Sequence, residues 1–162
     1  MVKSFKPIID KKCTTLILGS APGVKSLELN QYYGHPRNQF WRLVYTLFEA
    51  EYEESYEDRK QFLLKNHIAL WDVIKYCDRE GSLDTAIKNE EANDFKKLFN
   101  EYPSIKTVIF NGDKAYKTFR KLIGFEFEGI EFYKVGSTSP AHAISFEKRL
   151  ADWNILRRQR YK

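Results

Sequence analysis

Four short apolar runs limit what this chain can fold into. They occupy residues 14–19, 67–74, 106–110 and 130–135, and each gives way to glycine or a small polar residue, at Gly19-Ser20, Asp72, Asn111 and Gly136-Ser137. The segments between them carry apolar residues at helical spacing, which predicts helices over residues 57–66, 93–102, 113–122 and 145–160. A further helix follows Asn38, a capping residue type, with Trp41, Val44, Tyr45 and Phe48 on one side. Strands this apolar, separated by helix-length segments, belong in a parallel sheet covered on both faces. The expected fold is α/β, a three-layer α/β/α domain with right-handed crossovers. In such sheets ligands bind beyond the carboxyl ends of the strands. Four separate loops therefore bring their most polar residues to one edge.

The chain has 162 residues, 43% of them apolar, enough for one domain with a proper core. The expected layout is a single domain over 1–162, with a lead-in at 1–13 and a basic tail at 154–162. The two cysteines, Cys13 and Cys77, are far apart, which points to a reducing compartment and away from a disulfide framework, a structural zinc or a four-cysteine cluster. The opening residues MVKSFKPIIDKK lack the apolar run of a signal peptide, and no stretch has the length of a membrane span. A cytoplasmic protein with no membrane partner, no metal and no cofactor is expected. The net charge of +5 allows an anionic partner such as nucleic acid without requiring one.

The first strand breaks at Gly19 into a loop of about twenty residues, far longer than ordinary connections. It is not of low complexity: Tyr32-Tyr33-Gly34-His35-Pro36-Arg37-Asn38 closes it. Aromatic rings beside amide and guanidinium groups suit a planar heterocycle. The alternative is that the tyrosines pack the loop onto the core. GSAPGVKS also invites comparison with a phosphate-binding loop, yet Val24 stands where G-x-x-x-x-G-K-S/T needs its second glycine, and Pro22 stiffens the segment. The last loop, with Ser137, Thr138 and Ser139 ahead of a helix, is either a phosphate contact or a plain polar turn. Arg157, Arg158, Arg160 and Lys162 make a basic tail, a solvated face or a strip along a phosphate backbone.

Taken in order, GSAPG, YYGHPRNQFW, WDVI, GSLD, FNGDKA and STSPAHA resemble the motifs of the uracil-DNA glycosylase superfamily, in particular its hypoxanthine-DNA glycosylase branch, related to the mismatch-specific uracil/thymine glycosylases. The resemblance covers about residues 14–153. It implies a four-stranded parallel α/β/α fold and a monofunctional enzyme, a monomer, that extrudes a deaminated base from double-stranded DNA and hydrolyses its N-glycosidic bond.

Residue by residue, the superfamily's first motif, G-x-D/N-P-Y/G, places its water-activating residue where this chain has Ala21. In the hypoxanthine branch the asparagine of HPRN is the implied catalytic residue, here Asn38. Tyr33 matches the aromatic that stacks on the extruded base. Ser20, Ala21, Asp72 and Asn111 are implied to border the base. Gly23 and the final motif, Ser137, Thr138, Ser139, Pro140, Ala141 and His142, are implied to meet DNA. Ser137 stands where relatives carry a histidine or asparagine. The wedge that fills the gap left by the extruded base is expected near Ala141 and His142, neither of them a bulky aliphatic. Backbone N–H groups around Ser20–Gly23 and the Asn111 side chain are the candidate donors to the leaving base. Three functions follow: excision of hypoxanthine, with uracil next; excision of uracil or thymine from mispairs; or, given Ala21 and Ser137, an inactive DNA- or nucleotide-binding domain.

Overall fold

The computed structural model describes residues 1–160. In chain order it holds β1 (Val2–Lys3), β2 (Thr15–Gly19), α1 (Val24–Leu29), α2 (Phe40–Leu47), α3 (Tyr56–Lys65), β3 (Ile68–Asp72), β4 (Ile74–Asp78), β5 (Lys88–Ala92), α4 (Phe95–Glu101), β6 (Thr107–Asn111), α5 (Asp113–Leu122), β7 (Glu131–Val135) and α6 (Phe146–Gln159). Four strands form one parallel sheet in the order β3-β2-β6-β7. Alternate residues along β2 serve opposite faces, as the two-residue period of a strand requires. Ile17, with Leu70 and Ile109, packs beneath α2, α3 and α6 against Phe40, Leu43, Leu63 and Trp153. Leu16 and Leu18, with Val108 and Phe110, pack against Phe95, Leu98 and Phe119 of α4 and α5. That is the three-layer arrangement expected.

Most of the aromatic content fills these two layers. Phe110 and Phe119 lie 5.1 Å apart and edge-on, and Phe125 and Phe132 5.0 Å apart. On the other face Phe40 meets Trp153 edge-on at 5.9 Å. Such pairs add about 0.5–1.5 kcal/mol beyond area burial.

The structure corrects several expectations. Residues 1–13 are not a loose lead-in. β1 pairs with β4, Val2 opposite Cys77, and Ile8 bridges Leu70. The segment 75–88, which lies outside the expected strands and helices, contains β4, a short 3-10 turn (Asp84–Ala86) and the start of β5. These strands make a second, antiparallel sheet, β1-β4-β5. Only Ile74 and Cys77 of β4 are buried, so its period is weak, and one of its two partners, β1, lies more than seventy residues away. The long loop contains α1, and α2 begins at Phe40. The basic tail is not a tail as far as Gln159: α6 runs that far, with Leu156 buried. Lys162 lies outside the described residues. Among the described residues no helix is long and apolar enough to cross a membrane.

Trp153 is fully buried, and its Nε1 donates to the Gly136 carbonyl at 2.9 Å, joining the core to the final loop. Trp153→Ala is expected to cost about 3–5 kcal/mol in urea denaturation. Trp153→Phe, which keeps most of the packing and loses the hydrogen bond, is expected to cost about 1 kcal/mol beyond its lost volume.

Candidate active site

The parallel register brings strand ends together. Gly19 closes the β2–β3 ladder opposite Asp72, and Asn111 closes the β6–β7 ladder opposite Val135. Beyond them opens a cleft of about 870 Å3, bordered by Ser20, Tyr33, Asn38, Asp72, Asn111 and Ser137 among others. Of the residues singled out from sequence, Ala21, Gly23, Thr138, Ser139, Pro140, Ala141 and His142 also line it.

The floor is Asp72, only 4% exposed. Its Oδ2 has no hydrogen-bond partner, and neither has the buried Tyr33 hydroxyl nearby. A Cβ on Gly19 would stand 2.7 Å from Asp72 Oδ1 and 3.1 Å from the Tyr33 hydroxyl, so glycine is what lets these groups meet the end of β2. Burial, then the Asp84 carboxylate, raise the Asp72 carboxyl from 3.8 to about 7, against the pull of Arg79. Burial first, with the Asp72 charge, pushes the Tyr33 phenol up as well. The backbone of Asp72 is fixed by Asn93, whose Nδ2 donates to its carbonyl at 2.7 Å.

Tyr33 holds a left-handed backbone, φ 53°, which costs a bulky residue of order 1–3 kcal/mol and is the kind of strain that gathers at functional sites. One face of its ring is stacked on Phe40 at 4.2 Å. Tyr32 behaves differently. It is buried, donates from its hydroxyl to the Lys6 carbonyl at 2.8 Å, and accepts Trp41 Nε1 on its own carbonyl. Both tyrosines border the cleft, but Tyr32 is held as a buried post and Tyr33 is the more exposed of the two.

Asn38 is half-buried at the entry to α2. Its Oδ1 accepts the Phe40 amide at 2.9 Å, so residue 38 does help cap the helix, although Gln39 holds the cap position itself. The cap uses one lone pair of the amide oxygen. The second lone pair and Nδ2 make no bond among the described residues and stand at the cleft.

The final loop departs from expectation. Thr138 is fully buried, so its side chain is no DNA contact. Asn111 grips it instead: Nδ2 donates to Thr138 Oγ1 and Oδ1 accepts the Thr138 amide, both at 3.0 Å. The Asn111 side chain thus holds the loop with one hydrogen and one lone pair, and it keeps a second of each at the cleft. Ser137 Oγ accepts the Ser139 amide, and Ser139 Oγ accepts the Ala141 amide. Their oxygens shape the turn, and their O–H groups stay available. Pro140, Ala141 and His142 are exposed at its tip. In the first loop the amides of Ala21 and Gly23 donate to nothing among the described residues, whereas that of Val24 is taken by Ser82 Oγ at 2.8 Å.

Three features were not found from sequence. Asp84 accepts from Ser20 Oγ at 2.6 Å, and Arg79 Nη2 donates to the Pro22 carbonyl at 2.6 Å, so the segment 79–84 is held against the first loop and residues 82–84 form one wall of the cleft. The signal was present in GSLD, but its partner is sixty-odd residues away. Buried Arg149 reaches both the Gln39 side chain and the His142 carbonyl. Cations at the rim come from Lys25, Lys114, Lys117 and Lys134, not from the carboxyl-terminal arginines. Those lie at the opposite edge, where Gln159 accepts from Thr107, the first residue of β6. Lys114 and Lys117, three apart on the helix that follows a strand end, were a readable sign. Among the described residues no group of three or more His, Cys, Asp or Glu side chains could hold a metal ion.

Comparison with known proteins agrees with this geometry. The profile of the Uracil DNA glycosylase superfamily matches residues 7–157. A hypoxanthine DNA glycosylase of Methanosarcina barkeri is 40% identical over 154 residues, 93% of this chain and 94% of the relative. That of Methanosarcina acetivorans is 36% identical over 157 residues, 95% and 96% of the two chains. The solution NMR structure of a candidate uracil DNA glycosylase from Methanosarcina acetivorans superposes with a TM-score of 0.85 at 36% identity, covering 100% of both chains. With a family match over most of its length, relatives at 36–40% identity and a shared fold, the chain belongs to the uracil DNA glycosylase superfamily.

Proposed function

We propose that this DNA N-glycosylase removes hypoxanthine, the deaminated form of adenine, from double-stranded DNA, with Asn38 as its catalytic residue. The observation that carries the reading is that the one amide of HPRN with hydrogen-bonding capacity to spare stands at the mouth of a cleft floored by a protonatable carboxyl. The two Methanosarcina relatives, named for hypoxanthine, support the choice of base.

Flipping the damaged nucleotide costs a few kcal/mol, least where pairing is already weak. The base would stack on the ring face of Tyr33 that Phe40 leaves free. Cleavage of the glycosidic bond passes through an oxocarbenium-like sugar. An amide is no general base at neutral pH. Asn38 Oδ1, locked in direction by the Phe40 amide, accepts a hydrogen bond from a water and aims it at the sugar carbon, a contribution of position rather than proton transfer. Negative charge gathers on the departing base. The free amides of Ala21 and Gly23, and the O–H of protonated Asp72, are the donors placed to meet it.

A second reading, excision of uracil from mispairs, keeps the same residues. Hypoxanthine and uracil present the same neighbouring N–H donor and carbonyl acceptor, so one Asp72 carboxyl can read either. An oligonucleotide panel carrying inosine, uracil, xanthine and thymine mispairs, followed by alkali cleavage, separates these readings. Inosine is expected to be cut fastest. A panel left intact throughout would instead make the protein a binding domain.

Asn38→Ala is expected to keep the fold and the binding of lesion DNA but lose most excision, on the order of a hundredfold in single-turnover rate. An unchanged rate would remove Asn38 from the chemistry. Tyr33→Ala is expected to weaken binding of inosine DNA by about tenfold, from a stacking loss of about 1–3 kcal/mol, and binding of undamaged DNA far less. Asp72 gives a stability signature. Between its unfolded value of 3.8 and its folded value of about 7 the native state keeps a proton that the unfolded chain has lost. Stability therefore falls as pH rises through that window, by up to about 1.4 kcal/mol per pH unit, and levels off above it. Urea denaturation of Asp72→Asn against the parent should show the difference moving in the variant's favour from about pH 4 to pH 7, then staying constant.

A further inference from the structure

We propose that Leu83 is the wedge of this enzyme: the side chain that enters the base stack and fills the space vacated by the extruded nucleotide. This rests on the reading above that the protein works on an extruded base, but not on which base it is. Proteins that unstack DNA do so with apolar side chains pushed between base steps. The final loop has little to offer for the purpose. Its tip is Pro140, Ala141 and His142; Ala141 presents one methyl group, and the His142 ring folds back over Gly136, with Nε2 3.3 Å from where a Cβ on Gly136 would stand.

Across the cleft the opposite wall carries a large aliphatic. Leu83 is 58% exposed, more than any other large hydrophobic residue described except Met1, and lies on the rim of the same cleft as Asn38 and Tyr33. Its neighbours explain the exposure. Ser82 Oγ is tied to the Val24 amide at 2.8 Å, and Asp84 Oδ1 to Ser20 Oγ at 2.6 Å. Leu83 between them has an extended backbone, φ −76° and ψ 133°. Successive side chains on an extended backbone point to opposite sides. With Ser82 and Asp84 turned toward the first loop, Leu83 is held away from it. A leucine pinned outward by its two neighbours has lost its freedom to fold back onto the protein, which suits it to enter a stack without further ordering.

The test uses a duplex with a tetrahydrofuran abasic analogue, which presents the vacated space whatever base the enzyme prefers. Fluorescence anisotropy compares it with the undamaged duplex and with the abasic single strand, which has no partner stack to fill. Leu83→Ala is expected to weaken binding of the abasic duplex about tenfold, leave the other two within about twofold, and lower the fluorescence change of a 2-aminopurine beside the abasic site. Leu83→Met, which keeps the aliphatic length, is expected to behave as the parent does. Equal weakening on all three DNAs, or a Leu83→Ala protein that binds as the parent does while His142→Ala loses the abasic duplex, would overturn the proposal. Inosine excision by the parental protein is scored separately, so a wrong choice of base leaves its own mark.

Discussion

Gly19 faces Asp72 at the last rung of one ladder, and Asn111 faces Val135 at the last rung of another. Everything chemical in the molecule hangs from those two rungs. A slip of one residue in either ladder would send each side chain to the opposite face of the sheet. Ile17 and Leu70 would trade places with the layer that holds Phe110, and the Asp72 carboxyl would no longer meet the strand end of Gly19. The core and the cleft are therefore specified by one register, and the burial of β2 on both faces is what enforces it.

Several polar residues near the cleft serve structure and reactivity with different atoms. The Asn38 oxygen steadies the first turn of α2 with one lone pair and keeps the other for use. Asn111 uses one hydrogen and one lone pair of its amide to hold Thr138 and lines the cleft with the rest. Asp72 keeps an oxygen that no protein group partners in a buried place, a cost to folding. Where a buried polar group is fully matched within the protein it acts as a brace. Asp72 and the Tyr33 hydroxyl, both left short, border the same cleft.

The parallel sheet, its helices and the edge that carries the cleft were legible in the sequence, because apolar runs buried on both faces leave little choice. The aromatic and amide residues of 32–38 were legible as a cluster and the family motif singles out Tyr33, but spacing alone does not say how the two tyrosines differ. That depends on a left-handed backbone at residue 33, which no propensity reveals. The antiparallel sheet was missed because β4 shows the core only two side chains, and β1 is two residues long. Thr138 was misread as a surface hydroxyl because its partner, Asn111, is far off in sequence. The arginines at the carboxyl end looked like a phosphate strip, and only the direction of α6 removes them to the far edge.

Arg149 has a mechanical consequence. Its guanidinium is bonded to the Gln39 side chain on one side and to the His142 carbonyl on the other, while the Gln39 amide donates to the Thr138 carbonyl. The segment that bears Asn38 and the loop that follows β7 are thus clamped into one piece, a fixed jaw. The facing jaw, residues 20–24 with 79–84, is closed by a few hydrogen bonds between loops, one donated by the Ser20 hydroxyl and one accepted by the Ser82 hydroxyl. Widening the mouth to admit a nucleotide strains the clamp least when that second jaw swings, and the side chain of residue 38 then stays still.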